Sequence, residues 1–224
     1  MKPLTRWVAA IITVVGLLLA ATAHANPWRA LYGDQLIFDV YRNGDRVGQY
    51  QTDFLGQGDN WWVEARMELD LKWLFWDYRY RYHATETWQQ GQLTGLEVRI
   101  DSDGGRQNFS FERQGPWLQG THGEKIELPV LATHHYDASV VDRDRVINTL
   151  TGKVNHIRVE SLGIETLSAD GKTFSAQRYR YSGDLAQTDV WYDLSGRWVG
   201  LEFLDQRGAK VTFKSQRYPQ GGYL

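Results

Sequence analysis

The sequence predicts an all-β, mainly antiparallel fold: a curved up-and-down sheet forming a barrel or half-open barrel, with one short helix or ordered loop around 137–150. Three observations carry this prediction. Strand-length runs of alternating polarity recur along almost the whole chain. Turn residues separate them at regular points. The composition, with ten Trp, twelve Tyr, eight Phe and 22 Gly against five Pro, suits strands joined by tight turns.

The first element is not a strand. Lys2 and Arg6 precede an apolar run from Trp7 to Ala21, which ends at Ala23-His24-Ala25 with small residues where a signal peptidase inspects the chain. Residues 1–25 therefore read as a secretory signal peptide cleaved after Ala25, the run being shorter than the roughly 20 residues that span a bilayer. The expected location is the periplasm. With no cysteine anywhere, the cleavage point cannot carry a lipid, so the expected product is not a lipoprotein and has no stable membrane anchor. It also has no disulfide, so a hydrophobic core must hold the fold together.

Residues 26–224 are expected to form a single β domain. The first hairpin is the clearest: Leu36 to Arg42 and Val47 to Phe54 flank Asn43-Gly44-Asp45, where Asn and Gly tolerate the positive φ of a tight turn. Next comes an aromatic-rich stretch from Trp61 to Trp88. Its second strand is two-faced, with Trp76, Tyr78, Tyr80 and Tyr82 on one side and Asp77, Arg79, Arg81 and His83 on the other. Asp101 to Gly105 marks another turn. From Pro129 to Leu150 the alternation stops, and Val140, Val141, Val146, Ile147 and Leu150 roughly follow helical spacing, which predicts the short helix or ordered loop. Ala169-Asp170-Gly171, Asp193 to Gly196 and Gln206-Arg207-Gly208 separate the closing strands. These signals predict eleven or twelve strands linked mainly as hairpins. So many strands must curl, split or close, because free edges invite aggregation. A two-sheet sandwich fits the same pattern, but long strands in hairpin order favour the barrel-like sheet. A membrane barrel would need consistently apolar outward faces, whereas charges alternate with rings here.

Charge excludes one class of partner. The formal charge of −2 becomes more negative by two once Lys2 and Arg6 leave, and no basic run is present to bind phosphates, so no nucleic-acid partner is expected. Two segments stand out as candidate sites. In the aromatic strand, Trp76, Tyr78, Arg79, Tyr80, Arg81, Tyr82 and His83 are candidates for ligand binding. One reading makes the rings a core face beneath a solvated face. A second puts Arg79, Arg81 and His83 inside a wide barrel against an anionic head group, and a third makes the band a partner interface.

The second segment is Thr133-His134-His135-Tyr136-Asp137. His134, His135 and Asp137 are its catalytic candidates, since imidazole titrates near neutrality and beside a carboxylate can move a proton. Neighbouring residues on a strand point to opposite faces, so the two imidazoles are not expected to share an ion; no metal and no cofactor are predicted. Nucleophile-elbow, phosphate-loop and dinucleotide motifs are absent from the sequence.

Several of these segments together resemble a known family. Phe38 to Gly48, Thr133 to Asp137, Val146 to Gly152, Gly163, Arg178 to Gly183, Val190 to Asp193 and Gly196 to Gly200 are similar to a group of exported bacterial proteins, domain of unknown function 6134. The chain departs from that pattern at Tyr136-Asp137, where the family carries Trp-Asn. The resemblance implies the fold and the export route and comes with no established activity. A curved sheet with a ring-rich concave face makes the expected role a periplasmic, barrel-like module that binds or carries a lipid or other apolar or amphipathic small molecule. The alternatives are a hydrolase or isomerase using His134/His135, and an interaction protein of the envelope.

Overall fold

The computed structural model describes residues 26–73 and 76–217, the side chains of 72–77 apart; the leader expected over residues 1–25 lies outside these residues. The first described element is a helix, α1 (Pro27–Tyr32), opened by Asn26, whose side chain accepts from the amides of Trp28 and Arg29. Fifteen strands follow among the described residues. They are β1 (Gln35–Arg42), β2 (Asp45–Gln57), β3 (Asn60–Trp73), β4 (Trp76–Gln89), β5 (Gln92–Ser102), β6 (Gly105–Gln114), β7 (Trp117–Gly120), β8 (Lys125–Glu127), β9 (Leu131–Ala132), β10 (Arg145–Ile147), β11 (Val154–Ala169), β12 (Lys172–Gly183), β13 (Thr188–Asp193), β14 (Trp198–Leu204) and β15 (Lys210–Ser215).

All fifteen belong to one sheet, in the order β8-β7-β6-β5-β4-β3-β2-β1-β15-β14-β13-β12-β11-β10-β9. Each pair is antiparallel except β9 and β10. The predicted all-β, curled, up-and-down architecture is borne out. The expected strand number is low because β7 to β10 span only two to four residues each, too few to show a period of two. The irregular stretch around 137–150 contains a 3-10 helix (Ala138–Asp142), capped by Asp137, before β10 begins.

The turns form where the sequence places them. Arg42 pairs with Asp45 across a two-residue turn in which Asn43 and Gly44 have φ 50° and 95°. Pairing of β1 with β15 joins the first and last described strands at the middle of the sheet. Its free edges are consequently β8 and β9, consecutive in sequence and very short, which limits what another chain could pair with. The curl brings these edges near each other without a ladder between them: Arg145 Nη2 in β10 donates to Glu127 O in β8 at 3.0 Å.

Alternation decides which side chains enter the curl. Leu36, Phe38 and Val40 of β1, Tyr50, Thr52 and Phe54 of β2, and Trp61, Val63 and Ala65 of β3 are all buried on the inner face. Trp198 stands at the centre of this core, with ring centroids 4.2 Å from Phe38 and 5.6 Å from Tyr50. The segment from Val130 to Ile147 is not a surface connection. Val130, Ala132, His134, His135, Tyr136, Val140, Val146 and Ile147 are buried within the curl. Helix α1 closes the same end, where Trp28 packs edge-on against Trp61 and Tyr136, and Tyr32 stacks on Phe54 at 5.1 Å. The Tyr32 hydroxyl donates to Tyr136 O at 2.7 Å and accepts from the Trp198 amide at 2.8 Å.

One close approach tests this register directly. A Cβ added at Gly48 would sit 1.9 Å from Glu68 O on the neighbouring strand, a backbone atom that cannot swing aside. Gly48→Ala is expected to cost about 3 kcal/mol by forcing β2 and β3 apart, measured as the change in unfolding free energy in urea. A change below about 1 kcal/mol would contradict the pairing of Gly48 with Leu69.

Candidate functional site

The polar centre of the curl is built on β4. Its inner positions run Tyr78, Tyr80, Tyr82, Ala84, Glu86 and Trp88, so the period of two carries a carboxylate onto the same face as the rings. Glu86 pairs across the sheet with Val63 and Leu96 and is only 1% exposed. A carboxylate in such an apolar row requires donors. Trp88 Nε1 donates to its Oε2 at 3.0 Å, the Tyr136 hydroxyl donates to the same oxygen, and His134 Nδ1 bonds Oε1. With its proton on Nδ1, His134 accepts at Nε2 from the Tyr82 hydroxyl, 2.6 Å away.

A tight turn delivers these groups. The Tyr136 amide donates to His134 O at 2.8 Å, and His135 between them has φ 59°. The turn is anchored by Thr133, whose Oγ1 accepts from the Thr149 amide at 3.1 Å. Its geometry sends the two imidazoles apart. His134 meets Glu86 and Tyr82 on β4, whereas His135 packs against Trp198 and lies 3.4 Å from the Tyr181 hydroxyl. Burial, with a smaller effect of His134, lowers the His135 pKa to about 3. Burial also pushes the Tyr136 phenol well up, reinforced by Glu86, and raises the Tyr82 phenol, reinforced by Tyr50.

Asp137 is used differently. Its Oδ1 accepts from the Ser139 amide at 2.9 Å and caps the 3-10 helix, while burial raises its pKa. The three catalytic candidates therefore do not converge on one reacting centre. Both ring nitrogens of His134 are engaged, and its carboxylate partner is Glu86, which the sequence analysis did not single out. The signal was present: Glu86 is the acid at an inner position of the same alternating strand. Among the described residues, no group of three His, Asp or Glu side chains could hold a metal ion.

Above the Tyr82–His134 pair lies space. An inner cavity of about 150 Å³ is lined by Tyr50, Tyr82, His134, His135, Thr149 and Trp198, among others. Met67, Leu150, Phe203 and Phe213 line both this cavity and an outer chamber of about 610 Å³. The chamber is walled by Val40, Val47, Leu69, Tyr78, Tyr80 and Val211 and reaches Asp205 to Arg207 at the β14–β15 turn, away from α1. Together they form an apolar trough with a polar inner end. Of the candidates for ligand binding, Tyr78, Tyr80 and Tyr82 line it; the side chain of Trp76 lies outside the described residues. Arg79 and Arg81 are exposed and His83 half-buried on the opposite, outer face, where His83 faces Glu64 at 3.9 Å. The reading that put Arg79, Arg81 and His83 inside is thus reversed, because enclosing two guanidinium groups and a polar imidazole without partners costs far more than enclosing rings.

A single curled, mainly antiparallel sheet wrapped around an internal segment defines a β-barrel-like protein. The crystal structure of a beta-barrel-like protein of domain of unknown function DUF1849 from Brucella abortus is similar to it, with a TM-score of 0.55 over 81% of this chain and 94% of that chain. At 8% sequence identity, the likeness is one of fold. No curated protein matches the chain in sequence. The family model Domain of unknown function (DUF6134) matches residues 38–216, and the chain belongs to that family. The match spans Tyr50, Tyr82, Glu86 and the Thr133–Asp137 turn.

Proposed function

We propose that the protein is an exported, periplasmic binding module that holds an apolar or amphipathic small molecule in the trough. The observation that carries this reading is the continuity of the outer chamber with the inner cavity across Met67, Leu150, Phe203 and Phe213. The chamber falls in the size range of ordinary ligand sites, about 300–1,000 Å³, and its apolar walls lie between polar groups at the inner end, Tyr82, His134 and Thr149, and others at the mouth, Arg42, Asp205 and Arg207. The leader motif and the lack of cysteine support the periplasm as the place of action.

Native mass spectrometry of protein purified from its host tests the reading. A bound lipid or pigment is expected, and Met67→Trp, which fills the junction of the two spaces, is expected to lower occupancy about tenfold or more. Protein that carries no such molecule in either form would sink the proposal.

A second reading, a hydrolase or isomerase, is favoured by one observation: His134 lies between Glu86 and Tyr82 beside a cavity. Against it, the imidazole has no free nitrogen, and burial makes the Tyr82 phenol a poor source of phenolate. The arrangement serves better as the latch that holds the internal turn to β4.

A further inference from the structure

The inner end of the trough has a chemical character that narrows the class of ligand. No Lys, Arg, Asp or Glu lines the inner cavity. Burial keeps the His135 imidazole neutral at physiological pH, and His134 has both ring nitrogens committed. Glu86, the carboxylate that holds His134, is 1% exposed and also bonded by Tyr136 and Trp88. One group is left over. Tyr50 is 5% exposed and lines the cavity, yet its hydroxyl makes no well-formed hydrogen bond: Thr52, two residues along the same inner face, is near enough to favour its phenolate but is itself without a bond of good geometry. A buried phenol left in that state is costly, and a ligand atom that accepts its proton would remove that cost.

Size and charge then act together. A space of about 150 Å³ is what a single benzene-sized ring fills. An anionic head would find no cation there, and a cationic head no anion within contact, so either would lose its hydration without compensation. At the mouth the Arg42 guanidinium is already engaged, 2.9 Å from Asp205. Building on the ligand-binding reading above, we infer that the inner cavity receives the uncharged, oxygen-bearing head of an amphipathic molecule. That head is a hydroxyl or carbonyl on a group about one ring in size, hydrogen-bonded to the Tyr50 hydroxyl, with the apolar chain lying in the outer chamber against Met67, Leu69 and Val211.

Three matched probes test this with the exported protein: para-octylphenol, para-octylbenzoate and octylbenzene, each titrated by calorimetry near neutral pH against the wild type and Tyr50→Phe. The expected result is that the phenol binds about tenfold or more tighter than the benzoate. Tyr50→Phe is expected to weaken the phenol about fivefold while leaving octylbenzene unchanged, which also shows that the variant keeps its trough. Binding of octylbenzene with the benzoate equal to or tighter than the phenol would overturn the head-group assignment alone. So would equal effects of Tyr50→Phe on the phenol and octylbenzene. If none of the three binds, the trough is not a ligand site and both readings fall.

Discussion

Replacing Glu86 by alanine is expected to destabilise the protein by about 3–5 kcal/mol, as breaking a buried ionic or hydrogen-bonded group does when its partners stay behind. Three donors converge on this carboxylate from two parts of the chain: Trp88 from its own strand, and His134 and Tyr136 from the internal turn. Without it, Trp88, His134 and Tyr136 are left buried with their shared acceptor gone. The loss should not add to that of His134→Ala. Since each substitution breaks the same contact, the double variant is expected to be less destabilised than the sum by about 1–3 kcal/mol. Urea unfolding of the four proteins in the cycle measures this. A Glu86→Ala variant within about 1 kcal/mol of wild type would mean that the turn is held by its apolar contacts alone.

Acid is expected to weaken the fold through His135 well before most carboxylates titrate. Its folded pKa of about 3 lies below the unfolded value of 6.5. Above about pH 6.5 the imidazole is neutral in both states and has no effect. Below that, the unfolded chain takes up a proton that the folded chain refuses, so stability falls by about 1.4 kcal/mol for each pH unit until about pH 3, where both states are protonated. His135→Asn removes this group while keeping a residue that tolerates the positive φ of the turn. Between about pH 7 and about pH 5, the wild type is expected to lose about 2 kcal/mol more than the variant. Carboxylates held down by Arg partners, such as Asp189 beside Arg180 and Arg178, lose their contribution at lower pH and do so in both proteins. Parallel pH curves for wild type and variant would show that His135 is not kept neutral by the core.

Much of the fold was legible locally. Asn43-Gly44 and Asp170-Gly171 announce their turns because few residue pairs accept consecutive positive φ values, and both pairs adopt them. The alternation of β4 sorted Tyr78, Tyr80 and Tyr82 from Arg79, Arg81 and His83 correctly into two sets. It did not say which set faces inward, since a period of two distinguishes sides without assigning either to the core. The short strands β7 to β10 were missed for lack of length, and Glu86 was missed because its partners lie 48 and 50 residues away in sequence. An acid at an inner position of an aromatic strand was the available clue.

By itself the sequence determined the strand and turn pattern from Gln35 onward, the lack of any cysteine, and the two-sidedness of the aromatic strand. These depend on backbone conformation and on the order of neighbouring residues. The tertiary structure alone decided that β1 and β15 are neighbours, that the irregular segment enters the curl, that the tyrosines line a trough, and that Glu86 binds His134 and Tyr136. Those outcomes depend on which distant surfaces meet when the sheet curls. No local propensity encodes that choice, because the free energy that makes it comes from burying many remote side chains together.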